Sequence, residues 1–145
     1  KVKKAIGMFD LIQSVDSVHL LEEINKQAEK IKKIQDCLVE IKVSEEETKA
    51  GLDPTKLEGF FEKARELKNV KISGMMTIAP YFESSELARP YFRRAYTYYS
   101  LFAIRYSLPF LSMGMTNDFE VAIEEVSNMI RIGTGIFGER LGVTA

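Results

Sequence analysis

The fold of this chain is decided at its last strand-forming stretch, Met129-Ile130-Arg131-Ile132-Gly133-Thr134-Gly135-Ile136-Phe137-Gly138. The apolar residues are typical of a β-strand, and the glycines let a ligand approach the backbone closely. Arg131 interrupts the apolar run, and because a guanidinium keeps its proton it needs a specific acceptor. We therefore predict a strand over residues 129–137. Its arginine either faces an anion or another acceptor, or forms a salt bridge with a carboxylate on a surrounding helix.

A similar turn lies upstream at Leu111-Ser112-Met113-Gly114-Met115-Thr116-Asn117-Asp118, where a strand end runs into a helix start. A phosphate dianion needs several convergent N–H or O–H donors, usually at a helix N-terminus where the dipole is positive. Candidate donors are the Ser112 hydroxyl, the N–H groups of residues 113–115, and the backbone of residues 133–135 with the Thr134 hydroxyl. We expect the two turns to lie side by side as a phosphate cradle. Alternatively, Ser112 caps a turn and the glycines relieve crowding where the sheet curves.

The chain before these turns alternates between strand and helix patterns. Short apolar or alternating runs predict strands over residues 11–15, 38–43, 70–78 and 110–113. Apolar residues at three- and four-residue steps predict helices between them, over residues 18–34, from about 53, and from about 84. Pro90 removes one hydrogen bond and should kink or restart the third helix. Asn117, with Glu120 three residues on, resembles a capping box for a fourth helix.

The resulting β-α-β-α-β-α-β-α-β order indicates a parallel sheet with right-handed crossovers, in one domain over residues 1–145. A flat doubly wound sheet and part of an eight-stranded barrel both fit this order. No Gly-x-Gly-x-x-Gly fingerprint follows an early strand, which disfavours a dinucleotide-binding sheet. In an eight-stranded barrel, phosphate binds at the loops after the seventh and eighth strands. Because the last two strands here carry the Gly/Ser/Thr-rich ends, we favour a (β/α)8 TIM-type barrel.

Composition excludes several classes of protein. With 145 residues, 46% of them apolar, and a net charge of −1, the chain can build one core and has no broad attraction for nucleic acid. No apolar run approaches the length of a membrane span, and no signal-peptide pattern opens the chain. One histidine, His19, and one cysteine, Cys37, provide neither a usual metal site nor a His-centred triad. Cys37 in its apolar run is expected to be a buried thiol in a reducing compartment, which predicts a cytoplasmic protein.

The stretches 112–118 and 129–138 together resemble the signature of the pyridoxal phosphate homeostasis proteins, which are single-domain relatives of the alanine racemase N-terminal barrel. Further similar segments follow the family order along the chain: Ile12–Asp16, Glu40–Ser44 with Lys49 and Gly51, and Gly74–Ile78. The resemblance implies an eight-stranded barrel with pyridoxal phosphate at the carboxyl ends of the strands. This agrees with the fold inferred from the alternation of strands and helices.

By this resemblance, Ser112, Gly133 and Thr134 would hold the cofactor phosphate with Met113 beside them, and Arg131 would face the pyridine nitrogen. A permanent cation opposite that nitrogen keeps it unprotonated, so the ring is a poor electron sink. We therefore expect carriage or homeostasis of pyridoxal 5'-phosphate without robust catalysis and without a catalytic residue. The alternatives are a small pyridoxal-phosphate-dependent amino-acid racemase and an unrelated phosphate-binding barrel enzyme.

The sequence departs from the family at its start. In the family, the cofactor forms an imine with a lysine at the end of the first strand, in an Ala-Val-Ser-Lys-like motif that is absent here. The motifs of the second and third strands are also absent, and Lys1-Val2-Lys3-Lys4 matches the segment after the third strand. We therefore expect this chain to supply the last five strands, with N-terminal strands of the same protein or another chain closing the barrel. Lys42 and Lys49 could replace the imine lysine only from different strands.

Overall fold

The structure is a computed structural model and describes residues 1–45 and 50–138 of the chain. Its strands are β1 (Leu11–Val15), β2 (Gln35–Glu40), β3 (Val70–Met76), β4 (Phe110–Met115) and β5 (Met129–Arg131). Its helices are α1 (Val2–Met8), α2 (Val18–Lys30), α3 (Leu57–Glu66), α4 (Arg89–Tyr106), α5 (Phe119–Glu124) and α6 (Thr134–Phe137). Short 3-10 turns over Pro54–Lys56 and Ser85–Ala88 lead into α3 and α4.

The five strands form one parallel sheet in the order β1-β2-β3-β4-β5. In a doubly wound sheet the strand order reverses at a switch point, and no reversal occurs here. Right-handed crossovers that always step to the next strand keep their helices on one face of the sheet. The other face is then concave, as in the wall of a barrel. The predicted barrel-type fold is therefore confirmed as a five-stranded half-barrel.

The extent of β5 is a correction to the prediction from sequence. The predicted strand over residues 129–137 is wrong beyond Arg131, where β5 ends. Gly133 has φ −110° and ψ −86°, which breaks the extended conformation, and Thr134–Phe137 form one helical turn. The glycines therefore turn the chain from strand to helix.

The bounds of β2 also differ from the predicted 38–43. β2 begins at Gln35, whose Nε2 donates to the Asp10 carbonyl at 2.7 Å, and Asp36 accepts from Ser73 Oγ at 2.7 Å. These bonds let two polar residues lie within the sheet. The strand ends at Glu40, after which Ile41 forms an isolated bridge with Leu52.

The structure tests two predictions about where helices begin. Pro90 lies in the first turn of α4, where its missing N–H has no helical partner to lose, so the 18-residue helix begins there after the 3-10 turn. The predicted Asn117 capping box is wrong, because Asn117 Nδ2 donates to the Phe82 carbonyl at 2.8 Å. Asp118 is the N-cap of α5, and its Oδ1 accepts from the Met115 N–H at 2.7 Å. The sequence pattern also missed α1 entirely.

The apolar core lies between the sheet and the helices. Phe60, Phe61 and Phe92 are fully buried, and the Phe61 ring stacks on Tyr106 at a centroid distance of 4.4 Å. Cys37 is buried in the same core, and burial raises the pKa of its thiol to about 12. Because a thiol with such a pKa stays protonated, Cys37 serves as a packing residue and not as a nucleophile.

The close approach of β3 and β4 depends on Gly74. A Cβ at this position would overlap the carbonyl oxygen of Phe110 on the neighbouring strand. We expect Gly74→Ala to lower the free energy of unfolding by about 1–3 kcal/mol, because a backbone atom cannot move aside as a side chain can. Gly59→Ala is the matched control, since a Cβ there meets nothing within 4 Å and alanine favours the helix by about 0.5–1 kcal/mol. Chemical denaturation of both variants tests this, and equal effects would contradict it.

Candidate functional site

A hydrogen-bonded group of polar side chains lies on the concave face of the sheet. Arg131 Nη1 on β5 donates to Ser112 Oγ on β4 at 2.6 Å. Arg131 Nη2 donates to the carbonyl oxygen of Thr77, just beyond β3, at 2.9 Å. Ser112 Oγ in turn donates to Gln13 Oε1 on β1 at 2.7 Å. The side chains of three strands and the backbone after a fourth therefore meet at one point.

The electrostatic setting of Arg131 is a half-buried positive charge. Burial lowers the pKa of its guanidinium, while the charges of Glu40 and Asp118 act in the opposite direction. Glu40 is only 7% exposed, and its pKa is raised by burial first and by Asp16 second, with Arg131 opposing both. Of the two alternatives left open by the sequence, the salt bridge to a helix carboxylate is not formed among residues 1–45 and 50–138. Within these ranges the acceptors of Arg131 are a serine hydroxyl and a backbone carbonyl.

The two glycine-containing turns lie in direct contact, as the sequence predicts. Thr116 Oγ1, in the turn after β4, accepts from the N–H groups of Gly133 and Gly135 at 3.3 Å and 3.2 Å. Sequence reasoning named the Ser112 hydroxyl and missed that of Thr116. The available signal was position, because Thr116 follows the end of β4 whereas Ser112 lies within the strand.

A cavity of about 550 Å³ opens beside these turns. Its lining includes Thr116, Gly133 and Thr134, together with Ile78 and Ala79 after β3 and Phe137 of α6. Cavities of this volume, mostly apolar with a few polar groups, are typical of small-molecule sites. The cavity lies at the carboxyl ends of β3, β4 and β5, where ligands of barrel folds bind.

The five residues predicted to bind the cofactor occupy three places. Gly133 and Thr134 line the cavity, and Ser112 and Arg131 are bonded to each other on the strands that lead to it. Met113 is fully buried on the helix-facing side of β4, and its N–H donates to Ser127 Oγ at 3.3 Å. The structure therefore does not bring Met113 to the cavity.

The remaining candidates from the sequence lie elsewhere. Lys42 lines a separate cavity of about 700 Å³ with Asp16 and Asp53, and Lys49 lies outside the described residues. Among residues 1–45 and 50–138, no group of three or more His, Cys, Asp and Glu side chains is arranged to hold a metal ion. Within the same ranges, no helix is both long and apolar enough to cross a bilayer.

Comparison with known families decides the classification of the fold. The family model described as "Alanine racemase, N-terminal domain" matches residues 1–141. The chain belongs to the alanine racemase N-terminal domain family. Alanine racemase of Clostridium difficile 630 shares the fold at 16% identity, with a TM-score of 0.75 over 98% of this chain and 37% of that one.

Members of this family that are more similar carry a different name. The chain is 49% identical over 142 residues to the pyridoxal phosphate homeostasis protein of Aquifex aeolicus, covering 97% of this chain and 62% of that protein. The homonymous protein of Pasteurella multocida is 34% identical, with 97% and 61% coverage. The chain thus spans about three fifths of the length of these relatives.

Solved structures within the family agree with this placement. PipY of Synechococcus elongatus without PLP matches with a TM-score of 0.86 and 33% identity, over 95% of this chain and 66% of PipY. PipY with PLP bound matches with a TM-score of 0.85 and 32% identity, over 95% and 65% of the two chains.

The contact of Thr116 with both glycine amides generates a test of the site geometry. Thr116→Val removes the shared acceptor and keeps the shape of the side chain. We expect hydrogen exchange at Gly133 and Gly135 to become roughly 2- to 10-fold faster, the equivalent of losing about 0.5–1.5 kcal/mol of hydrogen bonding. Thr116→Ser, which retains the hydroxyl, is the control and should exchange at the wild-type rate. Unchanged exchange in Thr116→Val would show that this hydroxyl does not join the two turns.

Proposed function

We propose that this chain is the cofactor-binding part of a pyridoxal phosphate homeostasis protein. The observation that carries the proposal is the pairing of Arg131, held by Ser112 and Thr77, with the donor-rich turn at Gly133–Thr134 two residues downstream. The name of the Aquifex aeolicus relative and the PLP-bound form of PipY support it. Nothing specific favours the racemase alternative, because alanine racemase at 16% identity shares only the fold.

The residues present fit a phosphate at the two turns. Thr134 and Thr116 line the cavity, and the Gly133 and Gly135 N–H groups already converge on one oxygen, Thr116 Oγ1. An anion that replaced Thr116 Oγ1 as the acceptor of these N–H groups would find its donors already held in place, which lowers the cost of binding. We propose that Gly133 and Thr134 hold the phosphate, and that Met113 contributes only by fixing β4.

The proposed role of Ser112 is narrower than the phosphate contact expected from the resemblance. Its hydroxyl donates its one proton to Gln13 and accepts a hydrogen bond from Arg131. Ser112 would therefore act on the ring end of the cofactor through Arg131. Arg131 would then face the pyridine nitrogen. When bound, the cofactor acts as an electron sink only to the extent that its ring nitrogen is protonated. A permanent cation opposite the nitrogen keeps it unprotonated. The site therefore favours retention of the cofactor over catalysis.

We also propose that residues 1–145 are the last five strands of one barrel domain, closed by N-terminal strands of the same protein or another chain. Two findings support this: the relatives are longer, and within the described sheet β1 pairs only with β2 and β5 only with β4. Unpaired parallel edges in a half-barrel call for further strands. The buried, protonated Cys37 is compatible with the cytoplasmic location that we propose.

Titration of the intact protein with pyridoxal phosphate and, separately, with inorganic phosphate tests the function. Arg131→Met should weaken binding of pyridoxal phosphate by about 1.5–3 kcal/mol, the range for a hydrogen bond to a charged group, and leave phosphate binding unchanged. Thr134→Val should weaken the binding of both ligands by about 1.5–3 kcal/mol, because its hydroxyl would donate to the charged phosphate. Arg65→Met, at an exposed position of α3, is the control for loss of one positive charge. Wild-type affinity in both site variants would refute the proposed site.

Reductive labelling tests the proposed barrel assembly. Borohydride treatment of the intact, cofactor-loaded protein followed by peptide mapping should place the pyridoxyl group on a lysine outside residues 1–145. The physical reason is that Lys42 follows a different strand from the one that, by the resemblance, carries the imine lysine in the family. Residues 1–145 expressed alone are the control and should show only scattered, substoichiometric labelling. One dominant labelled lysine within residues 1–145 would contradict this assembly.

A further inference from the structure

Gln13 lies on β1, three strands away from Ser112 on β4, yet its side chain reaches that serine. Neighbouring strands are about 4.8 Å apart, so β1 and β4 would be separated by about 14 Å in a flat sheet. The 2.7 Å bond between Ser112 Oγ and Gln13 Oε1 is formed across the concave face because the sheet curves. Ser112 is fully buried beneath this bond. The contact therefore joins two strands that are not adjacent in the sheet, across the concave face of the half-barrel.

The direction of each hydrogen bond follows from the chemistry of the groups. A guanidinium can only donate, so Ser112 Oγ must be the acceptor in its 2.6 Å bond with Arg131. The single proton of that hydroxyl then needs an acceptor of its own. Gln13 Oε1 provides it. If Gln13 could not accept, the buried hydroxyl would lose its partner or rotate away from Arg131 to find another.

Gln13 therefore controls one of the two contacts that fix the guanidinium plane. The other contact, from Arg131 Nη2 to the Thr77 carbonyl at 2.9 Å, comes from the backbone and does not depend on a rotamer. With only the Thr77 contact, the guanidinium could rotate about that bond. With both, its plane is set. Its other N–H groups have no partner among residues 1–45 and 50–138, and so remain available to a ligand.

We propose that Gln13 is a positioning residue for the ring of pyridoxal phosphate, acting through the Ser112 hydroxyl on the orientation of Arg131. This inference rests on the proposed function and extends it to a residue that the cofactor does not need to touch. A neutral amide suits the task, because it accepts the serine proton without adding a negative charge next to the guanidinium. Gln13 thereby orients Arg131 and leaves its positive charge for the ring nitrogen.

The effect of Gln13 should depend on the ring nitrogen of the ligand, and this separates positioning from general packing. The test uses the intact protein and three probes: pyridoxal phosphate, its 1-deaza analogue with a C–H in place of the ring nitrogen, and inorganic phosphate. Gln13→Met removes the acceptor and keeps the length of the side chain. We expect it to weaken pyridoxal phosphate about 5- to 10-fold, the size of one side-chain hydrogen bond, and to leave the other two probes within about 2-fold.

Two further variants keep the test decisive if Gln13→Met folds poorly. Gln13→Asn retains the amide but is one methylene too short to reach Ser112, so it should behave like Gln13→Met. Gln13→Glu restores an acceptor of the original length but adds a negative charge beside the guanidinium, so it should recover only part of the affinity for pyridoxal phosphate. Gln27→Met, which removes an amide bonded to Glu23 on the outer surface of α2, is the matched control and should bind all three probes normally.

The outcomes separate this inference from the proposed function. Selective loss of pyridoxal phosphate binding in Gln13→Met or Gln13→Asn, with partial recovery in Gln13→Glu, supports the positioning role. Equal losses for pyridoxal phosphate and its deaza analogue would overturn it, since the side chain would then act on packing alone. Unchanged binding in these variants would overturn it as well. Failure of the wild-type protein to bind pyridoxal phosphate would instead refute the proposed function, and this inference with it.

Discussion

The half-buried charge of Arg131 is the constraint on which the site depends. Unlike a lysine or a carboxylate, a guanidinium does not lose its charge when it is buried. Each of its N–H groups that is removed from water therefore needs a hydrogen-bond acceptor. Those acceptors are held by the sheet. Thr77 presents its carbonyl to Arg131 while its own N–H donates to the Ser112 carbonyl at 3.0 Å and its Oγ1 donates to the Ile41 carbonyl at 2.9 Å. The position of the charge is therefore fixed by the residues that directly follow β2 and β3, together with β4.

The sequential order of the parallel strands makes this arrangement possible. With all crossovers on one face, the opposite face of the described sheet can carry polar side chains where it curves inward. Gln13 and Arg131 come from the two edge strands of the described sheet and meet at Ser112 between them. The same order brings the ends of β4 and β5 side by side, where Thr116 joins the turns that follow them. The charged site and the donor-rich turns are thus two consequences of one topology.

The sequence predicts the elements of this fold more reliably than their ends. Alternating strand and helix patterns locate β1 and α2 to α4, and the position of the glycine-rich ends favours the barrel. The patterns do not predict how far β5 extends, because Ile132–Phe137 has the composition of a strand and only the geometry at Gly133 ends it. Similarly, the polar start of β2 depends on a long-range bond from Gln35 to Asp10, which no local pattern contains.

The sequence likewise points to some of the site residues and not to others. Arg131 stands out in the sequence because a charge in an apolar strand needs a specific acceptor. The Gly133–Thr134 turn stands out by its composition. Gln13 and Thr116 do not, since a glutamine in a strand and a threonine in a turn are ordinary. Gln13 contacts a residue that lies 99 positions further along the chain, and Thr116 contacts residues at least 17 positions away. Such residues can be found only once the chain is folded.

The protonation state of the ring nitrogen tests the central claim most directly. The measurement is the 15N chemical shift of pyridoxal phosphate labelled at the ring nitrogen and bound to the intact protein. An oriented guanidinium opposite that atom predicts the shift of an unprotonated pyridine nitrogen, and a move toward the protonated value in Arg131→Met. A pyridinium shift in the wild-type complex, or the same shift in both proteins, would contradict the claim that Arg131 faces the ring.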